Sequence, residues 1–173
     1  EGSGGVSIGS YFRKLIYAWQ MRDINILISS QINENSKIQY RRSIEERIST
    51  LAPFLKLDKD PYIVAANDQL YWIQDAYTTS DKFPYSQPTD EDETSLGHYN
   101  YIRNSIKVVM NAYTGDVGFY LWDTTDPVAL TYQNMFPTLF SDRDSMPSDL
   151  ISHVRYPQGL FAIQAEKYIK YHM

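Results

Sequence analysis

Apolar side chains recur at two different spacings along this chain, and the change of spacing divides it. Phe12, Leu15, Ile16 and Trp19 fall three and four residues apart. That pattern predicts one face of a helix capped by Ser10 and turned toward a core. Ile24 to Ser30 extends it by a further helical turn or two. Ser36 or Ser43 starts the next helix, with Tyr40, Ile44, Ile48 and Leu51 as its apolar stripe and Pro53 as its stop. From Pro61 the period drops to 2, the signature of strands. Residues 62–66 and 70–74 flank Asn67-Asp68, a pair suited to the positive φ angles of a tight hairpin. A second hairpin is predicted from Ile102–Asn111, a turn through Thr114-Gly115, and Val117–Trp122, with Ile106, Val108 and Met110 on the face that meets the helices.

Helices return after Trp122. Asp126 is placed to accept backbone N–H bonds with Pro127 at the first helical position, and Val128, Tyr132, Met135 and Phe136 form the expected buried side before Pro137 ends the helix. Pro147 opens a short helix carrying Leu150 and Val154. Pro157 precedes a terminal helix that brings Phe161, Ala165, Tyr168 and Ile169 together. The expected architecture is α+β, an antiparallel sheet of about four strands in two hairpins with helices packed on one face. Residues 1–9, rich in glycine and serine, read as a flexible lead-in and 10–173 as a single domain. No internal repeat of fixed period is present.

Composition narrows the function more than the fold. With 43% hydrophobic and 21% charged residues over 173 positions, the chain has the apolar surface of an ordered protein. Lys and Arg number 16 against 21 Asp and Glu, a net charge of −5. That balance argues against nucleic acid as a partner, because such affinity rests on clustered positive charge. Arg41, Arg42 and Arg47 are interrupted by Glu45 and Glu46, a pattern of helical ion pairs. With no cysteine there is no disulfide, thiolate nucleophile or zinc-thiolate site. No segment approaches the roughly 20 consecutive apolar residues of a membrane helix. The 15 tyrosines lift aromatic content to 14% and predict an exposed apolar patch.

Candidate chemistry is sparse. Asp75, Asp81, Asp116, Asp123 and Asp126 are expected at strand ends or turns, where a converging pair would suit glycoside hydrolysis. Aspartate is equally at home in turns for hydrogen-bonding reasons alone. Asp58-x-Asp60 and Asp142-x-Asp144 offer hard oxygen ligands but lack the glycine and distal glutamate of a calcium loop, so solvated loops are the expected setting. The acidic run Asp90–Glu93 also reads as a solvated loop. His98, His153 and His172 are widely spread, and a triad of Ser105, His98 and Asp81 has nothing but composition behind it. No cofactor or metal site is assigned.

A polar and aromatic surface is the remaining candidate. Asp75, Tyr77, Thr78, Thr79, Ser80, Asp81 and Tyr85, together with Asn100, Arg103 and Asn104, set rings beside hydroxyls, amides and a guanidinium, a combination suited to a sugar, a peptide or a neighbouring domain. The competing reading is a loop that folds over the sheet and satisfies its own backbone, with Arg103 paired to Asp75 or Asp81.

Residues 75–86 (DAYTTSDKFPYS) and 99–108 (YNYIRNSIKV), with Leu51–Phe54 and Arg155–Pro157, resemble uncharacterised protein family 0182. The likeness runs from Gly5–Gly9 and Leu15–Trp19 to Leu160-Phe161 and Ile163–Glu166, and only 86–97 departs from it. Members of that family are large multi-pass membrane proteins of bacteria and cyanobacteria with a long extracytoplasmic region. The resemblance therefore implies a piece of that region, attached to the membrane through segments outside this fragment. Beginning at Glu1 agrees with that expectation. The implied role is an interaction or scaffold module on the extracytoplasmic side of the cell membrane, with other domains of the same protein or an envelope protein as partners. A carboxylate-dependent envelope glycan hydrolase and a periplasmic sensor are the alternatives.

Overall fold

The computed structural model describes residues 4–89 and 98–172. The acidic run Asp90–Glu93 lies outside the described residues. The chain packs as two compact units, one of residues 1–42 with 113–115 and one of 43–112 with 116–173.

The first unit holds β1 (Val6–Ser7), α1 (Tyr11–Met21), α2 (Asn25–Ile28) and β2 (Lys37–Ile38), with β1 and β2 antiparallel. The expected lead-in is thus partly built in. Val6 pairs with Ile38, and Ile8 is buried with Tyr17, Ala18 and Ile26. Ser10 does stand at the start of α1, although its side chain makes no capping bond. The expected inward face is reversed: Phe12 is 67% and Trp19 86% exposed, with Leu15 and Ile16 also exposed. Tyr17 and Ala18 turn in because this small unit packs only one side of the helix, and Lys14 Nζ ties that helix to the Ile32 carbonyl at 2.7 Å.

The second unit begins with α3 (Ile44–Leu51), whose Ile44 and Ile48 are buried one turn apart. Leu51 is exposed and Tyr40 precedes the helix, packing with the first unit's core, so the expected stripe is shorter at both ends. Then come β3 (Lys56–Leu57), β4 (Tyr62–Ala66), β5 (Gln69–Ser80), β6 (Tyr101–Asn111), β7 (Val117–Leu121), α4 (Pro127–Met135), β8 (Phe140–Asp142), a 3-10 turn (Arg143–Ser145), α5 (Ser148–Ile151) and α6 (Gln158–His172). Both hairpins form. Asn67 and Asp68 have φ of 48° and 58°, the double left-handed conformation of a two-residue turn whose twist matches its strands.

The sheet is larger than two hairpins and is mixed. Its order is β3-β5-β6-β7-β8, with β4 beside β3 on the same edge of the long β5, and β8 runs parallel to β7 through the α4 crossover. Both faces are covered, not one. Ala76, Ile106, Val108 and Met110 pack with α3, α4 and Phe54, while Ile73 and Val109 pack with Met146 and Leu150 on the other side. This explains the unbroken buried runs 73–78 and 105–110, since a strand covered on both faces has no wet side.

α4 starts as expected, with Asp126 accepting the Val128 N–H at 2.9 Å and Pro127 next to it. Its buried residue is Ala129, however, and Met135 and Phe136 are exposed. Phe136 instead stacks on Phe54, rings 5.5 Å apart and nearly parallel. Leu150 anchors α5, and Val154 packs on the same cluster from beyond its end. α6 has no buried residue, so Phe161, Tyr168 and Ile169 face outward. Among the described residues no helix is long and apolar enough to cross a membrane.

Candidate functional site

An open cleft of about 670 Å³ lies in the second unit, between the Arg103 end of β6, the Trp122–Thr124 segment after β7, residues 154–157 and the first turns of α6. Its polar lining includes Arg103, Asn104, Lys107, Asp123, Thr124, Arg155, Tyr156 and Gln164, with Trp122 as a ring. Each cation is matched. Arg103 Nη2 meets Asp123 Oδ2 at 2.7 Å and donates to Thr125 Oγ1 at 3.0 Å. Arg155 Nη2 meets Asp60 Oδ2 at 2.6 Å, with its guanidinium 3.9 Å from the Tyr62 ring. Lys107, only 2% exposed, donates to Asp75 directly across the strand pair. Its ammonium also lies 5.7 Å from the Trp122 ring. Asp123 Oδ1 accepts the Thr125 N–H at 2.9 Å and hydroxyl at 2.7 Å, so both its oxygens are occupied. Tyr156 donates its hydroxyl to Gln164 Oε1 at 2.7 Å.

Beneath this cleft the acids are anchored by folding. Burial pushes the Asp75 carboxyl up, against the pull of the Lys107 ammonium and its hydrogen bond. Asp58 is buried and accepts the Tyr77 hydroxyl and the Gly159 N–H, the latter at 3.0 Å. The Leu160 N–H in turn donates to the Tyr77 oxygen at 3.2 Å. Asp58 and Tyr77 therefore satisfy two of the free donors that begin α6, the Gly159 and Leu160 N–H groups. Burial raises the Tyr77 phenol far above its ordinary range, and the Asp58 carboxylate adds to the effect. A Cβ on Gly159 would come within 3.2 Å of both Tyr77 Oη and Asp58 Oδ2, which is why that turn approaches so closely.

The opposite face of β5 holds Asp126. Its carboxylate accepts the hydroxyls of Thr78, Ser105 and Tyr101, the last at 2.7 Å, besides the Val128 N–H. One extra residue in β6, where the register shifts between Ala76 and Thr78, puts Ser105 beside Thr78, hydroxyls 3.3 Å apart. Burial alone would raise this carboxyl; the hydrogen bonds outweigh it and hold the group below the usual carboxylate range.

The expected surface is divided by this arrangement. Asp75, Tyr77 and Thr78 are not on a loop but inside β5 and buried. Thr79 and Ser80 end that strand partly covered. Asp81 and Tyr85 are exposed, Tyr85 with φ of 59°. Asn100 fastens the loop backbone, accepting from the Phe83 N–H at 2.9 Å and donating to the Phe83 and Ser86 carbonyls at 2.7 and 3.2 Å. Only Arg103 and Asn104 line the cleft, and Arg103 pairs with Asp123, not with Asp75 or Asp81.

Other expectations shift too. Asp58 is no solvated ligand but a buried acceptor, and Asp60 is held by Arg155. Ser105 is buried against Asp126 while His98 and Asp81 stand exposed, so no triad assembles from them. No cluster of three or more metal-ligating side chains occurs among the described residues. Lys107, Trp122, Arg155, Tyr156 and Gln164 are not among the site residues expected from the sequence, although each lies in a predicted strand or a segment of the family resemblance. For Lys107 a signal existed: a lysine inside the apolar run Ile106–Met110 needs a buried partner.

The family model described as "Uncharacterised protein family (UPF0182)" matches residues 1–173. The chain is 49% identical, over its full length, to a UPF0182 protein of Pelotomaculum thermopropionicum, covering 18% of that protein. It is 50% identical to one from Salinibacter ruber over 99% of the chain and 18% of the relative. A Methanospirillum hungatei relative is 50% identical over the full chain and 19% of its own length. The chain thus spans less than a fifth of each of these relatives. No solved structure matches it.

Proposed function

Because the chain belongs to the uncharacterised family UPF0182 over its whole length, we propose that it is a binding module without catalytic machinery of its own, set on the extracytoplasmic side of a larger multi-pass membrane protein. The observation that carries this reading is the state of the charged groups. Among the described residues one carboxylate lines the cleft, Asp123, with both oxygens engaged, and Asp75, Asp58 and Asp126 serve as buried acceptors. A retaining or inverting glycosidase needs two carboxyls facing each other roughly 5 to 10 Å apart across a groove. The cleft instead offers compensated charges and an exposed ring, the makings of recognition.

Exposed rings on α1 and α6 supply further surface for contact with other domains of the same protein or with an envelope protein. The extracytoplasmic placement is supported by the architecture that the family resemblance implies. Photo-crosslinking in the full-length protein in intact membranes tests the module directly, with p-benzoylphenylalanine at Tyr156 or at Phe161. Adducts to another segment of the protein or to an envelope component are expected. Glycan hydrolysis by the full-length protein that disappears in Asp123→Asn would overturn the reading. For the side of the membrane, Thr124→Cys on a cysteine-free background should react with an impermeant maleimide in intact cells; labelling only after lysis would place it inside.

A further inference from the structure

The geometry points to an uncharged, hydroxyl-rich ligand for this cleft, an oligosaccharide, a proposal that rests on the cleft being a site of binding and not of reaction. Charge comes first. Arg103, Lys107 and Arg155 each face their own carboxylate, Asp123, Asp75 and Asp60, so every cation named on the lining is compensated, two of them by acids that lie outside it. A phosphate or carboxylate ligand would meet an Arg103 whose charge Asp123 already compensates, and would bring its own charge up beside that acid. A cation would meet an Asp123 whose two oxygens already accept from Thr125 and Arg103. Neither sign of charge gains a net partner here.

The unused hydrogen-bonding capacity is of both kinds. Arg103 reaches Asp123 and Thr125 from the same Nη2 and also bonds the Tyr101 hydroxyl, which leaves part of its five N–H groups over. Gln164 spends its oxygen on Tyr156 and keeps its amide donors, while the Tyr156 oxygen, having donated, keeps lone pairs to accept. Donors and acceptors side by side without net charge suit a group that does both, which is a hydroxyl. Tyr156 adds a ring 56% exposed and fixed by its bond to Gln164, a rigid platform of low ordering cost for the apolar face of a sugar. The volume, about 670 Å³, falls within the ordinary range of small-ligand sites.

Full-length protein in lipid nanodiscs is titrated by biolayer interferometry with chitotetraose, maltotetraose, cellotetraose and mannotetraose, with inorganic phosphate and a heparin tetrasaccharide as charged probes. At least one neutral tetrasaccharide is expected to bind. Its affinity should fall at least about tenfold in Tyr156→Ala and in Gln164→Ala, both surface positions, and stay unchanged in Ile63→Ala outside the cleft. Phosphate should not compete. Binding of none of the neutral sugars, equal binding by Tyr156→Ala, or preference for the charged probes overturns the proposal. If the sugars fail while Tyr156 crosslinks to a protein segment, the ligand class is wrong and the binding module stands. If a bound sugar is cleaved, the module reading itself falls.

Discussion

Asp75 and Asp126 sit on opposite faces of the same sheet, 2% and 0% exposed, and their carboxyls move in opposite directions. Asp75 has a full positive charge against it and is still pushed up. Asp126 accepts three hydroxyls and a backbone N–H, feels the Arg103 guanidinium only through space, and is held down. Removing Lys107 from water is itself costly, so one buried ion pair recovers only part of what two desolvated charges lose. Four dipoles fixed by the fold carry no full charge to desolvate, and all point at the ionised form. Converging hydrogen bonds outweigh burial at Asp126, whereas the single ammonium at Asp75 does not outweigh a heavier desolvation.

The largest expected effect breaks the Asp75 side. Lys107→Met strands a buried carboxylate and should lower stability by about 3–5 kcal/mol, most of it restored in Lys107→Met/Asp75→Leu, where no charge remains to be buried. Urea unfolding reads both, and a single-variant loss below about 1 kcal/mol would mean that the pair is wet. Asp126→Ala should lose about 2–3 kcal/mol by the same measurement, because it removes the helix cap and three hydroxyl contacts at once.

Acidity sharpens the contrast. The Asp126 carboxyl is lower in the fold than in the unfolded chain, so its stabilisation is present above the ordinary carboxylate range and is lost as pH falls through the folded value. The stability gap between wild type and Asp126→Asn should therefore shrink toward acid. Asp75 is raised in the fold, so its contribution is largest when it is protonated and declines as pH rises through the span between its unfolded and folded values. Wild type measured against Asp75→Asn should follow that opposite slope; parallel curves for the two positions would end the comparison.

Smaller effects test the edges of the two faces. Tyr77→Phe deprives Asp58 of a donor and Leu160 of its acceptor, and should lower stability by about 1–2 kcal/mol while the Gly159 and Leu160 amides exchange faster with deuterium. Unchanged exchange would mean that α6 is held elsewhere. Trp19→Ser and Phe161→Ser, on exposed helix faces, should stay within about 0.5 kcal/mol of wild type in thermal unfolding; a larger loss would place those rings in a core.

Local chemistry made the hairpins and the start of α4 readable. Asn67-Asp68 tolerates two positive φ angles, and Asp126-Pro127 joins an acceptor to a residue with no N–H to satisfy. β3 and β8, two and three residues long, are too short to show any period, so the sheet was undercounted. The candidate site was less legible. Of the ten positions proposed, Arg103 and Asn104 reach the cleft, because the residues taken for a binding loop at 77–80 continue β5 into the interior. Tyr156 and Gln164 lie in segments that carry the family resemblance but gave no sign of a shared site, since an eight-residue separation says nothing of a hydrogen bond until the chain turns at Pro157.

The sequence by itself determined the alternation of the strands, the turns that join them, and a lysine placed where only a buried acid would tolerate it. Which acid that is, and which face of each helix meets a core, was decided by tertiary packing. Periodicity records that a helix has an apolar side, as α1 does at Phe12, Leu15, Ile16 and Trp19, but not whether anything in the same unit covers it. Pairing is likewise a property of register: Asp75 lies opposite Lys107 and apart from Arg103 because β5 and β6 align that way and an extra residue in β6 resets the count beyond Ala76.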